Sequence, residues 1–360
     1  MTIGILKELD DTRVAIVPAI AKKIIDRLKV DVIIEDDAGR KARFYNDQYA
    51  ECGVAAKSKA EVLAEADILI SINPVNIEDY NTCGSGKIVM ALFTPFNDAS
   101  IIDKLKAANV KAFSLDMFPR TTLAQHLDVQ SSQASIAGYQ AVIMAAYELP
   151  VFFPMLITAA GSIPPAKVLV LGTGVAGLQA IATAHRLGAK VEAFDVRKDT
   201  KEEVESLGAK FIHVEGSAED VAHGGYAVEQ KEDFKKRQRE IIHERAIRSD
   251  VIICTARLRG KKAPILIEAE TVWAMKRGAV IVDLAADSGG NCALTENKQS
   301  ILYSGVVIIG DSSPESRMQR DASTMFSNNV FNFLSMLIEE GELNIDEEHE
   351  FIKSTLITNN

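Results

Sequence analysis

The sequence predicts an α/β protein with two Rossmann-like domains, each built on a doubly wound parallel sheet, joined by long helices. Two series of short β-branched runs, with helical patterns between them, predict the alternating strands and helices. The runs are almost continuously apolar, as strands buried on both faces of a parallel sheet must be. With 360 residues, the chain is long enough for two hydrophobic cores of ordinary size.

The predicted strands come first in each domain. The first series is TIGILK, VDVIIED, DILISI, KIVMALF and VKAFSLD, and the second is KVLVLG, KVEAFD, KFIHV, DVIICTA, AVIVDLA and GVVIIG. From about residue 322 to Leu343 a long helix is predicted, which can pack back onto the first domain through an apolar side made of Phe326, Val330, Phe333, Leu334 and Leu337. We therefore predict one domain over residues 1–130 plus 325–360 and a second over 131–324.

Composition narrows the classes of function. The formal net charge of −10 and the pI near 5.3 argue against a nucleic acid as partner, because there is no basic excess to displace counterions. Prolines and glycines interrupt the most apolar region, 149–171, so we expect no direct membrane insertion. The four cysteines have no CxxC spacing, which indicates a reducing cytosol. The histidines show no HxxxH or HExxH pairing, so we expect no metal site.

A glycine-rich turn follows the first strand of the second series. In KVLVLGTGVAGLQA, Gly172, Gly174 and Gly177 have the GxGxxG spacing of a dinucleotide-binding turn. The first glycine would make the tight turn, the second would let the backbone approach a pyrophosphate, and the third would let helix and strand pack closely. The N-terminus of the helix, beginning with Val175 and Ala176, would supply N–H donors to the phosphates.

An acidic residue ends the next predicted strand. The carboxylate of Asp195 can accept hydrogen bonds from the adenosine ribose and would repel a 2′-phosphate, so NAD is favoured over NADP. Arg197 and Lys198, close behind Asp195 and Val196, weaken that preference. A tight turn without a ligand would explain the glycines but not the placement of Asp195.

A second polar stretch, PRTTLAQHLDVQSS at 119–132, lies between a predicted strand and a predicted helix. With these motifs, the sequence resembles the NAD(H)-binding component, domain I, of proton-translocating NAD(P) transhydrogenase. The resemblance covers nearly the whole chain and is carried by RVAIVP at 13–18, PRTTLAQHLDVQSSQASIAGYQAVI at 119–143, MLITAAGSIPPAKVLVLGTGVAGLQAIATA at 155–184, DVRKDTKEEVESLGAKFI at 195–212, GGYA at 224–227 and DLAADSGGNC at 283–292.

The resemblance implies an enzyme component. NADH held here would transfer hydride directly to NADP⁺ on a partner NADP(H)-binding domain, and a separate membrane domain would translocate protons. It further implies a homodimer and a cytoplasmic location, peripheral to the inner membrane through partner subunits. The chain would be either a separate subunit or an excised domain.

The resemblance also implies site residues. The stretch 119–132 would lie against the nicotinamide and its ribose, with Gln125 and Asp128 positioning the ring. A mobile loop, SAEDVAHGGYAVEQ, would fold over the nucleotide through Gly224, Gly225 and Tyr226. The full set of residues expected at the nucleotide is Arg120, Gln125, Asp128, Ser131, Gly172, Gly174, Val175, Ala176, Gly177, Asp195, Val196, Arg197, Gly225, Tyr226, Gln238, Thr255, Ala256 and Arg257. Arg257 departs from the family, in which an apolar residue is more usual. On the residues alone, 119–132 can also be an interdomain loop whose charges pair with each other.

Two other functions stay open. Alanine dehydrogenase, a related enzyme, needs a lysine and a histidine after strands of its first domain, but SINPVN at 71–76 and ALFTPFN at 91–97 contain neither. Arg13 and Asp287 do persist, and Asp287 is closer to the dehydrogenase than to the transhydrogenases, which usually have Glu there. Their structural alternative is an ion-pair partner for Arg13 and a turn acid for Asp287. The third function is a non-catalytic module that senses the NADH/NAD⁺ ratio.

Overall fold

The computed structural model describes residues 1–214, 221–222, 226–227 and 232–359. The chain divides into two compact units, one formed by 1–133 with 316–360 and the other by 134–315. Each unit is described by itself below.

The first unit begins with a parallel sheet in the order β3-β2-β1-β4-β5-β6, which is the Rossmann order. Its strands are β1 Thr2–Ile5, β2 Asp31–Glu35, β3 Ala55–Lys57, β4 Ile68–Ile70, β5 Ile88–Ala91 and β6 Lys111–Ser114. The helices between them are α1 Pro18–Leu28, α2 Asn46–Glu51, α3 Lys59–Glu65, α4 Ile77–Thr82 and α5 Ser100–Ala107. Short 3₁₀ turns occupy Arg40–Ala42, Leu115–Met117 and Thr122–Ala124. The boundary at 133 falls inside the next helix, α6 Val129–Glu148.

The second unit repeats this plan. Its main sheet has the order β11-β10-β9-β14-β15-β17-β16, and all neighbours are parallel except the edge pair β16 and β17. The strands are β7 Leu156–Thr158, β8 Gly161–Ile163, β9 Lys167–Leu171, β10 Lys190–Phe194, β11 Lys210–Ile212, β12 Val221–Ala222, β13 Tyr226–Ala227, β14 Val251–Cys254, β15 Val280–Asp283, β16 Gln299–Tyr303 and β17 Val306–Gly310. The helices are α7 Val175–Arg186, α8 Lys201–Ser206, α9 Glu232–Ala246 and α10 Ala269–Ala274, and 3₁₀ turns lie at Lys198–Thr200, Ala286–Ser288 and Pro314–Met318. Strands β7 and β8 form a separate antiparallel hairpin, as do β12 and β13.

The C-terminal segment returns to the first unit. It consists of α11 Gln319–Leu337, β18 Ile338–Glu339, β19 Glu342–Leu343 and α12 Glu350–Thr355. The ring of Phe333 packs edge-on against Phe113 and Phe118, at centroid distances of 5.4 and 5.0 Å. The five apolar residues predicted on one side of this helix are all fully buried. The prediction that the helix continues through 338–343 is wrong, because the chain reverses there in a hairpin whose Gly341 has a φ of 87°.

The predicted fold class is confirmed: both units are α/β with doubly wound, mainly parallel sheets. The prediction missed β3, β7, β8 and β16, which lie at sheet edges or in a hairpin and are largely exposed, so they lack a continuous apolar run. It also missed the two-residue strands β12, β13, β18 and β19, which are too short for a periodic pattern. Within the described part of the chain, none of the helices has both the length and the apolar character that crossing a membrane requires.

Candidate functional site

The centre of the second unit's sheet is a topological switch point. Strands β9 and β14 are neighbours, yet the chain leaves β9 toward β10 and leaves β14 toward β15, on opposite sides. The last residues of β9, β10 and β14 are in register, pairing Leu171 with Phe194 and with Cys254. Gly172, Asp195 and Thr255, the next residues of these strands, therefore emerge together at the carboxyl edge. In open α/β sheets, ligands bind in the crevice at such a point.

The three glycines after β9 differ in how much space a side chain would find at each position. Gly172 has a φ of 96°, and a Cβ there would lie 2.6 Å from Thr255 Oγ1. A Cβ on Gly177 would lie 1.9 Å from the carbonyl oxygen of Gly172. A Cβ on Gly174 would meet no atom of the described residues within 4 Å. The packing of the described residues thus requires the first and third glycines, whereas the second leaves a space that is open to a ligand.

Helix α7 points its N-terminus into this space. Gly174 is its N-cap and has no side chain that could accept a hydrogen bond from the N–H groups of the first turn. Val175 and Ala176 are only half-buried. An uncapped first turn with a positive dipole end is suited to a phosphate.

Asp195 is held in place by two neighbours. Its Oδ2 accepts the backbone N–H of Thr173 at 2.8 Å and the Thr173 hydroxyl at 3.0 Å. Arg197 forms a bidentate pair with Asp195, in which Nε donates to Oδ1 at 3.0 Å and one terminal nitrogen donates to Oδ2 at 2.9 Å. The backbone N–H of Arg197 also donates to Oδ1, at 2.9 Å. Burial by itself would raise the pKa of Asp195, but the hydrogen bonds and charge of Arg197 outweigh burial and lower it. The carboxylate therefore stays ionised at neutral pH.

A buried asparagine organises the segment after β14. Asn291 accepts the N–H of Ala256 at 3.0 Å and donates to the Ala256 carbonyl at 2.8 Å. The hydroxyl of Thr255 donates to the Gly172 carbonyl at 2.9 Å and so joins this segment to the glycine turn. Sequence reasoning missed Thr173 and Asn291: each lies inside a motif that it identified, but at a position to which it gave no role.

The segment 283–292 is fixed by a fully buried carboxylate. Asp283, the last residue of β15, accepts the backbone N–H groups of Ala285, Asn291 and Cys292 at 2.7 to 3.0 Å, and the Thr295 hydroxyl at 2.7 Å. Its role in this motif is therefore structural.

Arg257 and Asp287 form a partly exposed ion pair beside this segment. The guanidinium contacts both carboxylate oxygens, at 3.1 and 3.2 Å, and also donates to the carbonyl of Leu284. Asp287 lies in the 3₁₀ turn Ala286–Ser288, ahead of Gly289 with its φ of 101°. Asp287 thus has a structural partner that the sequence did not predict.

The other residues predicted near the nucleotide are less closely grouped. Val196 is half-buried beside Asp195, and Gln238 is buried on α9. Tyr226 lies in β13, which pairs with β12. Gly224, Gly225 and most of the predicted mobile loop at 217–230 lie outside the described residues.

The polar stretch 119–132 belongs to the first unit. Asp128 is buried and caps the start of α6, accepting the backbone N–H of Ser131 at 2.9 Å and its hydroxyl at 2.5 Å. Gln125 is exposed, and so is Arg120, which donates to Gln130 at 3.4 Å. The loop therefore presents Gln125 and Arg120 outward, while Asp128 and Ser131 hold each other.

A buried polar cluster lies elsewhere in the first unit. Arg13 forms a bidentate pair with Asp11, at 2.6 and 3.0 Å, and donates to Gln133 at 2.8 Å. Asn73 donates to Asp11 at 3.2 Å and to Glu8 at 3.0 Å. The structural alternative for Arg13, an ion-pair partner in its own unit, is confirmed.

Fold, switch point and glycine turn together define a Rossmann-type nucleotide-binding protein. The family model for the alanine dehydrogenase/PNT N-terminal domain matches residues 4–137, and the model for the C-terminal domain matches 141–360. The chain belongs to this family, as a transhydrogenase component.

Three comparisons illustrate the similarity. The first of the parts that make up the NAD(P) transhydrogenase alpha subunit of Rhodospirillum rubrum is 41% identical over 370 residues, covering 99% of this chain and 96% of the relative. A transhydrogenase structure from Sinorhizobium meliloti superposes with a TM-score of 0.89 at 37% identity, covering 99% of this chain and 97% of that one. Alanine dehydrogenase 1 of Staphylococcus aureus is 27% identical over 298 residues, which is 81% of this chain and 74% of the relative.

Proposed function

We propose that this chain binds NAD(H) and presents the reduced nicotinamide for direct hydride transfer to NADP⁺ on a partner domain. The observation that carries the proposal is Gly174, whose missing side chain leaves clear space in front of an uncapped helix N-terminus. Membership of the transhydrogenase branch supports the same function.

The residues of the glycine turn fit a dinucleotide. The N–H groups of Val175 and Ala176 would hold the pyrophosphate against Gly174. Asp195 would accept the adenosine ribose hydroxyls, and its negative charge would disfavour a 2′-phosphate. Its carboxylate already accepts five donors, more than the roughly four that its lone pairs can serve well. We infer that the ribose displaces part of the Arg197 pair, whose side chain is 24% exposed.

The loop 119–132 would orient the nicotinamide end. Gln125 carries both an amide donor and an amide acceptor on an exposed side chain, as a carboxamide partner needs. Asp128 would act by fixing Ser131 and the start of α6. Bound NADH supplies the hydride, and no side chain needs to act as acid or base, because a hydride moving between two nicotinamide rings releases no proton. The protein's contribution would be proximity and orientation.

The full machine would need further chains. The Rhodospirillum relative is named as one portion of an alpha subunit, which implies other subunits of that protein. We propose that an NADP(H)-binding domain and a membrane domain complete this one, that proton translocation occurs in the membrane domain, and that the chain is cytoplasmic and reaches the inner membrane only through these partners.

A homodimer is proposed as well. The hairpin of β7 and β8 and the residues before it expose large apolar side chains, among them Phe152, Met155 and Ile157, with Ile157 74% exposed. An apolar patch of this kind is typical of a protein interface, and a second copy of the chain is the occupant we propose.

Amino-acid oxidation is the competing function, favoured by the similarity to alanine dehydrogenase. The guanidinium of Arg13 is committed to Asp11 and Gln133, which leaves it poorly placed to hold a substrate carboxylate. Asp287 is paired with Arg257. Together with the lack of lysine and histidine in 71–76 and 91–97, these pairs argue against the dehydrogenase.

A two-arm assay tests the proposal. One arm supplies NAD⁺ with L-alanine, and the other supplies NADH with an NADP⁺-loaded partner domain. We expect hydride transfer in the second arm only, and alanine-dependent NADH formation would overturn the proposal. A sensing module would show no turnover even in the wild-type chain. We expect turnover in the wild-type chain, and we expect Gln125→Asn to lose that turnover while it retains NADH binding.

A further inference from the structure

Two side-chain amides donate hydrogen bonds to one carbonyl of the loop 119–132. The oxygen of His126 accepts a hydrogen bond from Asn329 Nδ2 at 2.9 Å and another from Asn332 Nδ2 at 2.8 Å. Both asparagines belong to α11, and their spacing of three residues places them on the same side of the helix. A carbonyl oxygen has two lone pairs, so this contact uses both of them.

This contact adds a polar anchor to a loop that is otherwise held by buried apolar residues. Before it, Phe118 is buried and packs edge-on against Phe333 of the same helix. After it, Leu127 is buried and Asp128 caps α6. Ala124, directly before Gln125, is fully buried, whereas Gln125 and His126 are exposed. Gln125 therefore lies between the buried Ala124 and His126, the residue that the two amides hold.

Asn329 is a poor choice if stability is its only role. Its side chain is buried, and its Oδ1 has no hydrogen-bond partner among the described residues. A buried polar atom without a partner is unfavourable, and an apolar residue of similar size would avoid that loss. What the asparagine side chain provides that an apolar residue could not is the hydrogen bond from its Nδ2 to the loop.

We propose that Asn329 and Asn332 are positioning residues: by holding the His126 carbonyl, they fix the direction in which the exposed amide of Gln125 is presented. The inference rests on the proposed function, in which Gln125 orients the nicotinamide. Because hydride transfer depends steeply on the placement of the reacting ring, a looser Gln125 reduces the rate more than it weakens NADH binding, most of which comes from the rest of the dinucleotide.

The test uses Asn329→Ala, Asn332→Ala and the double variant, each also combined with Gln125→Ala. Asn328→Ala is the matched control, since Asn328 is an exposed residue of the same helix whose amide donates back to the Thr324 carbonyl at 2.8 Å. Asn329→Leu keeps the packing volume and removes the donor, which guards against misfolding. The measurements are NADH affinity, the rate of hydride transfer to an NADP⁺-loaded partner domain, and amide hydrogen exchange over residues 124–128.

We expect the double variant to bind NADH within about threefold of the wild type, to transfer hydride at least tenfold more slowly, and to exchange the loop amides faster. In the Gln125→Ala background, the same variants should change the rate by less than about twofold, because the path through Gln125 is already lost. Asn328→Ala should behave as the wild type.

Two results would overturn the inference: double-variant rates equal to those of Asn328→Ala, or an equally large effect in the Gln125→Ala background. The proposed function fails separately, if the wild-type chain transfers no hydride or if Gln125→Ala transfers it at the wild-type rate.

Discussion

Replacing Gly174 with alanine separates ligand binding from folding. Among the residues that the structure describes, no atom lies within 4 Å of the added Cβ, and the φ of −73° and ψ of −171° are open to any L-residue. Alanine lowers the entropy of the unfolded chain but is a weaker N-cap than glycine, so stability should stay within about 1 kcal/mol of the wild type. The Cβ would point where we place the pyrophosphate.

The binding loss follows from the hydrogen bonds to that phosphate. Losing one N–H bond to a charged group costs about 1.5–3 kcal/mol, which corresponds to roughly a 10- to 150-fold weaker Kd for NADH. Gly177→Ala is the contrasting variant: its Cβ would lie 1.9 Å from the Gly172 carbonyl oxygen, so overpacking should cost about 1–3 kcal/mol of folding stability.

Titration of NADH fluorescence gives the affinity, and urea denaturation gives the stability. NADH binding by Gly174→Ala with wild-type affinity would refute the placement of the pyrophosphate. Destabilisation of Gly174→Ala as severe as that of Gly177→Ala would refute the geometric distinction between the two glycines.

Three further predictions follow from buried or paired carboxylates. Asp195→Ala should weaken NADH binding by about 1–2 kcal/mol through loss of a charge-assisted hydrogen bond; calorimetry showing unchanged affinity would argue against the ribose assignment. Asp283→Ala should leave three buried N–H donors unpaired and lower the free energy of unfolding by at least about 3 kcal/mol; a urea midpoint equal to that of the wild type would contradict this. Burial, only partly opposed by hydrogen bonds from Ile72 and Asn73, raises the pKa of Glu8 from 4.5 to about 7. The folded state therefore binds more protons than the unfolded state between these values, and wild-type stability should fall by about 3 kcal/mol as pH rises from 4.5 past 7. Glu8→Gln should remove that decline, and equal slopes of Tm against pH in the two proteins would count against the assignment.

The sequence was most informative where structure depends on neighbouring residues. The GxGxxG spacing predicted the turn at Gly172, because a positive φ and a close helix approach are local requirements. The helix start at Asp128 and Ser131 was not predicted, because the polar stretch 119–132 was placed before the helix, whereas α6 begins inside it at Val129.

Contacts between distant segments were not predictable in this way. The His126 carbonyl meets Asn329 across 203 residues, and Thr173 meets Asp195 across 22. An isolated asparagine or threonine has no periodicity or spacing that would reveal such a partner. Edge strand β3 was missed for a related reason, since an exposed Ala-Ala-Lys run has no burial pattern.

Arg13 and Asp287 show why residue identity alone misleads about function. Both residues are retained from the dehydrogenase pattern, yet each forms an ion pair within its own unit, Arg13 with Asp11 and Asp287 with Arg257. The partner Asp11 was not identified from sequence, and Arg257 was noted only as a departure from the family.

The most direct test of the proposed function follows the transferred hydrogen. NADH carrying deuterium at the transferring C4 position is mixed with this protein and an NADP⁺-loaded partner domain in ordinary water, and the NADPH formed is analysed by mass spectrometry. Direct transfer between two nicotinamides predicts that the deuterium is retained in the NADPH. Hydrogen from solvent in its place, or no NADPH at all, would contradict the claim that this chain presents its nicotinamide to another.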